Sequence, residues 1–194
     1  SLPMFNKIYE LIDWSVRSNL ASILTDCPHR EKLGWLEVAH LMQYAMQYRY
    51  QLNGLYSKVM GDIKDSQTPE GIVPSIAPEY VRFADGFENS PEWGSAFIII
   101  PWYIYKWYGD KSLLSAYYPY MKRYLEYLST RADDYIVAYG LGDWFDLGPK
   151  HPGYSQLTSN GVTSTGMYYY NATIMSQIAE LLGEEKDEER FTQL

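Results

Sequence analysis

"YKWYGDKSLLSAYY", residues 105–118, joins an apolar helix end, a glycine, an acid and the start of a new amphipathic helix. Gly109 suits the left-handed position just past a helix end. A connection this short turns the chain back on itself. The same order of features returns in "AELLGEEKDEERFT", residues 179–192, with Gly183 74 positions after Gly109. The echo predicts stacked helical hairpins and an all-α fold.

Helical periodicity continues outward in both directions. "EWGSAFIIIPWYIYKWYG" (92–109) is the most apolar helix, and Pro101 is expected to kink or divide it. "KSLLSAYYPYMKRYLEYLSTRADD" (111–134) forms the second arm of that hairpin. Towards the N-terminus, residues 4–24 place Phe5, Ile8, Leu11, Ile12, Ser15, Val16 and Asn19 on one face. Residues 35–67 repeat the pattern, with Gly54 either a joint or a weak point. "TSTGMYYYNATIMSQIAELLG" (163–183) ends on Gly183. Two long loops, 68–91 and 135–162, interrupt the helices. They are too rich in apolar and aromatic residues to be linkers, and loops of this length often build binding sites.

The chain has 194 residues, enough for one domain with a real core. No domain boundary appears within 1–194. The chain opens almost directly into a helical pattern and closes on a helix that has barely begun. We therefore expect an excised piece of a larger domain, 1–194, whose uncovered apolar helix faces self-associate. The net charge of −8 argues against nucleic acid and against an anionic membrane surface. The longest apolar run is too short to span a bilayer. Cys27 is the one cysteine, which excludes an internal disulfide. Periplasm and cytoplasm both remain open as compartments. The 20 Tyr, 6 Trp and 6 Phe suit either a sugar groove or an aromatic helix core.

The densest charge lies in "TDCPHREKLGW", residues 25–35. Two accounts fit it. In the structural one, Asp26 caps a short helical turn, Pro28 sits in its first turn, Arg30 pairs with Asp26, and Gly34 ends it. In the functional one, Arg30 keeps Asp26 anionic, while the indole of Trp35 and partial burial let Glu31 retain a proton. One fixed anion beside one proton donor is what glycoside hydrolysis requires. The structural account leaves Glu31 beside Trp35 unexplained.

"DCPHREKLGW" (26–35) closely resembles the signature of bacterial α-L-rhamnosidases of glycoside hydrolase family seventy-eight. "PEWGSAFIIIPWYIYKWYGD" (91–110), "GLGDWFDLG" (140–148) and the 163–183 stretch match the family in order. The resemblance implies the N-terminal part of an (α/α)6 barrel and inverting hydrolysis of terminal α-L-rhamnosyl linkages, with a rhamnose-containing glycoside as partner; His29, His40 and His151 lie too far apart for a local metal motif, and no metal or cofactor is expected. It matches Glu31 to the general acid, and Asp26 and Arg30 to residues that hold the sugar hydroxyls. It matches Trp35, Trp93 and Trp144 to aromatic walls. Glu37 and Val38 stand where the family commonly has Gly-Asp, and Ser95 where it often has Asp. The family's general base and a pocket histidine lie on later helices, so this chain alone is expected to lack them and to be inactive. Glu37, Glu79, Glu92, Asp143 and Asp146 are stand-ins for the missing carboxylate, each with a plain solvated-charge alternative. His29 fits substrate contact or a structural role equally. "GDWFD" (142–146) lacks a full calcium ligand set. The other functional classes left open are a non-catalytic helical module that binds carbohydrate or mediates assembly, and a different glycosidase on the same barrel.

Overall fold

A computed structural model describes residues 2–194, and among these every regular element is helical. In chain order they are α1 (Pro3–Asn19), α2 (Leu36–Met46), α3 (Asn53–Ser66), α4 (Pro91–Gly94), α5 (Ala96–Tyr108), α6 (Ser112–Thr130), α7 (Asn160–Leu182) and α8 (Glu185–Thr192). A single 3-10 turn, Asp85–Phe87, lies in the first long loop.

α5 is the hub. Its sequence is apolar almost all round, so it has no face to offer water and must be enclosed. Phe97, Ile98, Ile99, Ile100 and Ile104 are fully buried, against α2, α3, α4, α6 and α7. Enclosing each such side chain is worth about 1.5–3 kcal/mol. Gly109 and Gly183 end α5 and α7 in the left-handed region, at φ 70° and 78°, as their hairpin positions predict. The α7/α8 hairpin closes through Glu184 N–H donating to Ala179 O at 2.9 Å. α8 is fastened to α6 by Asp187, which accepts from Lys122 Nζ at 2.6 Å and from Tyr118 Oη at 2.9 Å.

The helices depart from expectation at four places, and at Pro101 and Gly54 the structure removes one of the two alternatives the sequence left open. Pro101 does not divide its helix: α5 runs unbroken from 96 to 108, because packing on five neighbours outweighs the lost backbone hydrogen bond. The division falls at Ser95, whose Oγ donates to Pro91 O at 2.6 Å. The 35–67 run is two helices, and its joint is 47–52 rather than Gly54. There buried Leu52 and the bond from Tyr50 to Asp13 hold the connection. The first helix stops at Asn19, where Thr25 N–H donates to Asn19 O and the chain turns back. Of the apolar face predicted on that helix, only Val16 is buried; Phe5, Ile8, Leu11 and Ile12 are exposed. α1 is instead anchored by charge: buried Asp13 accepts from Arg49 at 2.7 Å, Arg17 at 3.1 Å and the Tyr50 hydroxyl.

No described helix is long and apolar enough to cross a membrane.

Candidate active site

Residues 25–35 form a closed loop rather than a helix. Asp26 N–H donates to Leu33 O, and Leu33 N–H returns to Asp26 Oδ1, each at 3.3 Å. Buried Cys27 sits inside the loop: its thiol donates to Asp26 Oδ2 at 2.9 Å, and its sulfur accepts from Glu31 N–H at 3.3 Å. The loop is pinned to residues 75–77 by a short antiparallel bridge. Leu36 N–H donates to Ser75 O, and Ala77 N–H to Gly34 O. Gly34 does more than end a turn. A Cβ at this position would lie 2.5 Å from Ala77 O, so only glycine permits the bridge.

The loop forms one wall of a cavity of about 310 Å³. Asp26, Arg30, Glu31, Trp35, Trp93 and Trp144 all line it, together with Glu37, Val38, Phe87, Leu141 and Phe145. Glu37 and Val38 enter from the first turn of α2, and Trp93, 4% exposed, from α4. The opposite wall is built by the two long loops. Phe87 is its centre: its ring meets Trp144 edge-on at 5.0 Å, Tyr154 at 5.7 Å and Trp35 at 6.3 Å. Trp35 also stacks on Phe83 at 5.2 Å. The cavity thus joins charged groups on one side to aromatic surface on the other, the composition that sugar recognition uses.

The internal contacts differ from those expected. Asp26 does not cap a turn, and no ion pair joins it to Arg30 among the described residues; its oxygens serve the loop backbone and the thiol. Glu31 is exposed, and it meets the edge of Trp35 rather than the ring face: the indole N–H donates to Glu31 Oε2 at 2.9 Å. The burial invoked for proton retention at Glu31 is therefore absent, although Glu31 does share one cavity with 26, 30 and 35. His29 is exposed and does not line the cavity.

Among the stand-in carboxylates, Glu79, Asp143 and Asp146 lie outside the cavity lining. Asp146 braces its own loop, accepting from the backbone N–H of Gln156 at 2.9 Å and of Leu157 at 2.8 Å. Glu92 is buried and accepts from Ser90 Oγ at 2.6 Å and Ser164 Oγ at 3.1 Å. Glu37 faces the cavity. Burial pushes its carboxyl above the ordinary range, and the negative charge of Glu92 adds to the shift. Burial likewise pushes the His40 imidazole down, so it stays neutral and its Nε2–H donates to the Glu92 carbonyl at 3.0 Å. Sequence reasoning missed Phe87, Leu141 and Phe145. Phe87 carries one weak signal, a Gly-aromatic pair within a long loop.

The whole chain, residues 1–194, matches the family model described as the bacterial alpha-L-rhamnosidase 6 hairpin glycosidase domain. The alpha-L-rhamnosidase structure from Dictyoglumus thermophilum superposes with a TM-score of 0.90 at 36% identity, covering 100% of this chain and 21% of that one. The Streptomyces avermitilis alpha-L-rhamnosidase, solved in complex with L-rhamnose, superposes at 0.84 with 28% identity, covering 99% and 18%. Among sequence relatives, an alpha-L-rhamnosidase of Streptomyces avermitilis is 30% identical over 100% of this chain and 18% of its own length. The chain spans about one fifth of the length of these relatives. It belongs to the bacterial α-L-rhamnosidase six-hairpin glycosidase family, and its helical hairpins form part of an (α/α)6 barrel.

Proposed function

We propose that this chain is the acid-bearing part of a glycoside hydrolase that cleaves terminal α-L-rhamnosyl linkages with inversion. The observation that carries the proposal is the convergence of Asp26, Arg30, Glu31 and three tryptophans on one cavity, from three separate segments of the chain. Glu31 is the general acid that protonates the departing glycosidic oxygen. It lies at the exposed lip of the cavity, where a leaving group would exit. Arg30 donates to sugar hydroxyls and Asp26 accepts from them, while Trp35, Trp93 and Trp144 supply apolar surface for the sugar ring. Inversion further requires a base about 6.5–9.5 Å from the acid, with water between them. We assign that base to a later part of the longer enzyme. The apolar side chains exposed on α1 are the surface through which this chain would self-associate.

Turnover of an aryl α-L-rhamnoside, combined with calorimetry of L-rhamnose binding, tests the assignment. Glu31→Gln is expected to lower any turnover by about 10²–10⁴-fold while leaving sugar binding in place. Binding without turnover fits a chain that lacks its base, or a carbohydrate-binding module. A chain that neither binds L-rhamnose nor cleaves the glycoside contradicts the proposal.

A further inference from the structure

Three acidic side chains line the cavity, and a fourth lies behind it. Three of the four are already committed. Asp26 is held by the Leu33 amide and the Cys27 thiol, Glu31 by the Trp35 indole, and Glu92 by two serine hydroxyls. Glu37 is the exception. It lines the cavity from the first turn of α2, half-buried, and no side-chain hydrogen bond or ion pair engages its carboxyl among the described residues. A polar group left without a protein partner at a half-buried cavity wall gains most from a ligand that supplies one.

We infer that Glu37 is a specificity-determining residue of this cavity, and that its unpartnered carboxyl makes a direct hydrogen bond to a hydroxyl of the bound sugar. The inference rests on the reading that the cavity takes L-rhamnose. It adds a contact from a position where the chain departs from its family's common Gly-Asp pair.

The surroundings decide which form of the carboxyl makes that bond. Glu37 has Val38 beside it in the cavity lining, and no cation pairs with it. The free N–H groups of the α2 first turn favour its anion. Burial and the Glu92 charge outweigh them, and the proton is held above the ordinary value of 4.5. While it keeps that proton, Glu37 can donate its O–H to a sugar oxygen. The other titratable or charged groups around the cavity are Asp26, Arg30 and Glu31 on the loop wall, Glu92 on α4 and neutral His40 on α2. Once Glu37 loses its proton the donor is gone, and a second carboxylate then stands near Glu92 without a cation. Affinity for the sugar should fall as that happens.

The test is calorimetry of L-rhamnose against the whole chain at a series of pH values above 4.5, for wild type, Glu37→Gln and Glu37→Leu, with far-UV circular dichroism to confirm folding. The amide of Glu37→Gln keeps a donor at every pH. It is expected to bind within about threefold of the low-pH wild type, with the pH dependence removed. Glu37→Leu is expected to lose about tenfold in affinity, the size of one hydrogen bond. A purely structural role for Glu37 would not flatten the pH profile while preserving affinity. If folded Glu37→Gln and Glu37→Leu both bind as wild type does at every pH, the inference is overturned and the sugar cavity stands. If wild type takes up no L-rhamnose at any pH, the cavity assignment fails and the inference fails with it.

Discussion

Gly34 leaves room for a hydrogen and nothing larger. Adding a methyl group there drives a Cβ to within 2.5 Å of the Ala77 carbonyl, which is backbone and cannot swing aside. Gly34→Ala should therefore destabilise the fold by about 1–3 kcal/mol, readable as a lower denaturant midpoint. It should also loosen the loop that carries Asp26 and Glu31. Glu37 gives a prediction of a different kind. Its folded carboxyl holds a proton above the ordinary value of 4.5, through burial first and Glu92 second. The folded state consequently binds more protons than the unfolded state over that window. Stability is full below 4.5 and falls as pH rises through the folded value. Glu37→Gln removes this loss, so its melting temperature should exceed that of wild type at about pH 8 and match it at about pH 4. A wild type that gains stability over this range relative to the variant would contradict the assignment. The candidate residues at 26, 30, 31 and 35 were recognisable because they lie within one short run. Phe87 was not, because its contacts with Trp35 and Trp144 join segments more than fifty positions apart, and no local pattern records them. The Trp35–Glu31 pair was visible as a spacing, but a spacing does not tell whether an acid meets the face of an indole or its N–H.

α8 is short and strongly charged, and buried Asp187 ties it to α6, beside Phe191 in the core and the Arg190–Glu126 ion pair at 2.8 Å. Burial alone would push the Asp187 carboxyl up. The hydrogen bonds from Lys122 and Tyr118, with the charges of Lys122 and Arg190, outweigh it and hold the group below the usual carboxylate range. A carboxyl lowered in the fold contributes stability above its unfolded value and loses it as pH falls through the folded one. Acid should therefore weaken the hold of α8 on α6. Asp187→Asn should unfold at a lower temperature than wild type near neutral pH, with the difference shrinking in acid; a constant difference at all pH values would contradict this. The helices themselves were readable from period and glycine stops, and the hairpins at Gly109 and Gly183 follow directly. Their interruptions were not. Pro101 is a breaker by its own chemistry, yet α5 is enclosed by five neighbours, and tertiary packing overrides a local preference. The 47–52 joint carries no glycine or proline. It is set by Leu52 entering the core and Tyr50 reaching Asp13, both long-range events.

The molecule is unevenly covered, and the chain spans about one fifth of its relatives' length. α5 is enclosed, while α1 keeps Met4 at 65% exposure, Leu11 at 69% and Trp14 at 67%, and is held chiefly by the Asp13 charge cluster. We propose that apolar surface of this extent draws copies of the chain together in water. Sedimentation velocity should show the weight-average mass rising with concentration, and Leu11→Lys with Phe5→Lys should suppress the rise. A single monomer boundary for wild type at the highest concentration would contradict it. The central claim concerns the cavity between the 25–35 loop and the two long loops, and a crystal structure of this chain grown with saturating L-rhamnose tests it most directly. The account predicts the sugar against Trp93 and Trp144, with hydroxyls within hydrogen-bond distance of Asp26 and Arg30 and its anomeric oxygen directed towards Glu31. An empty cavity at saturating sugar, or a sugar bound elsewhere, would contradict it.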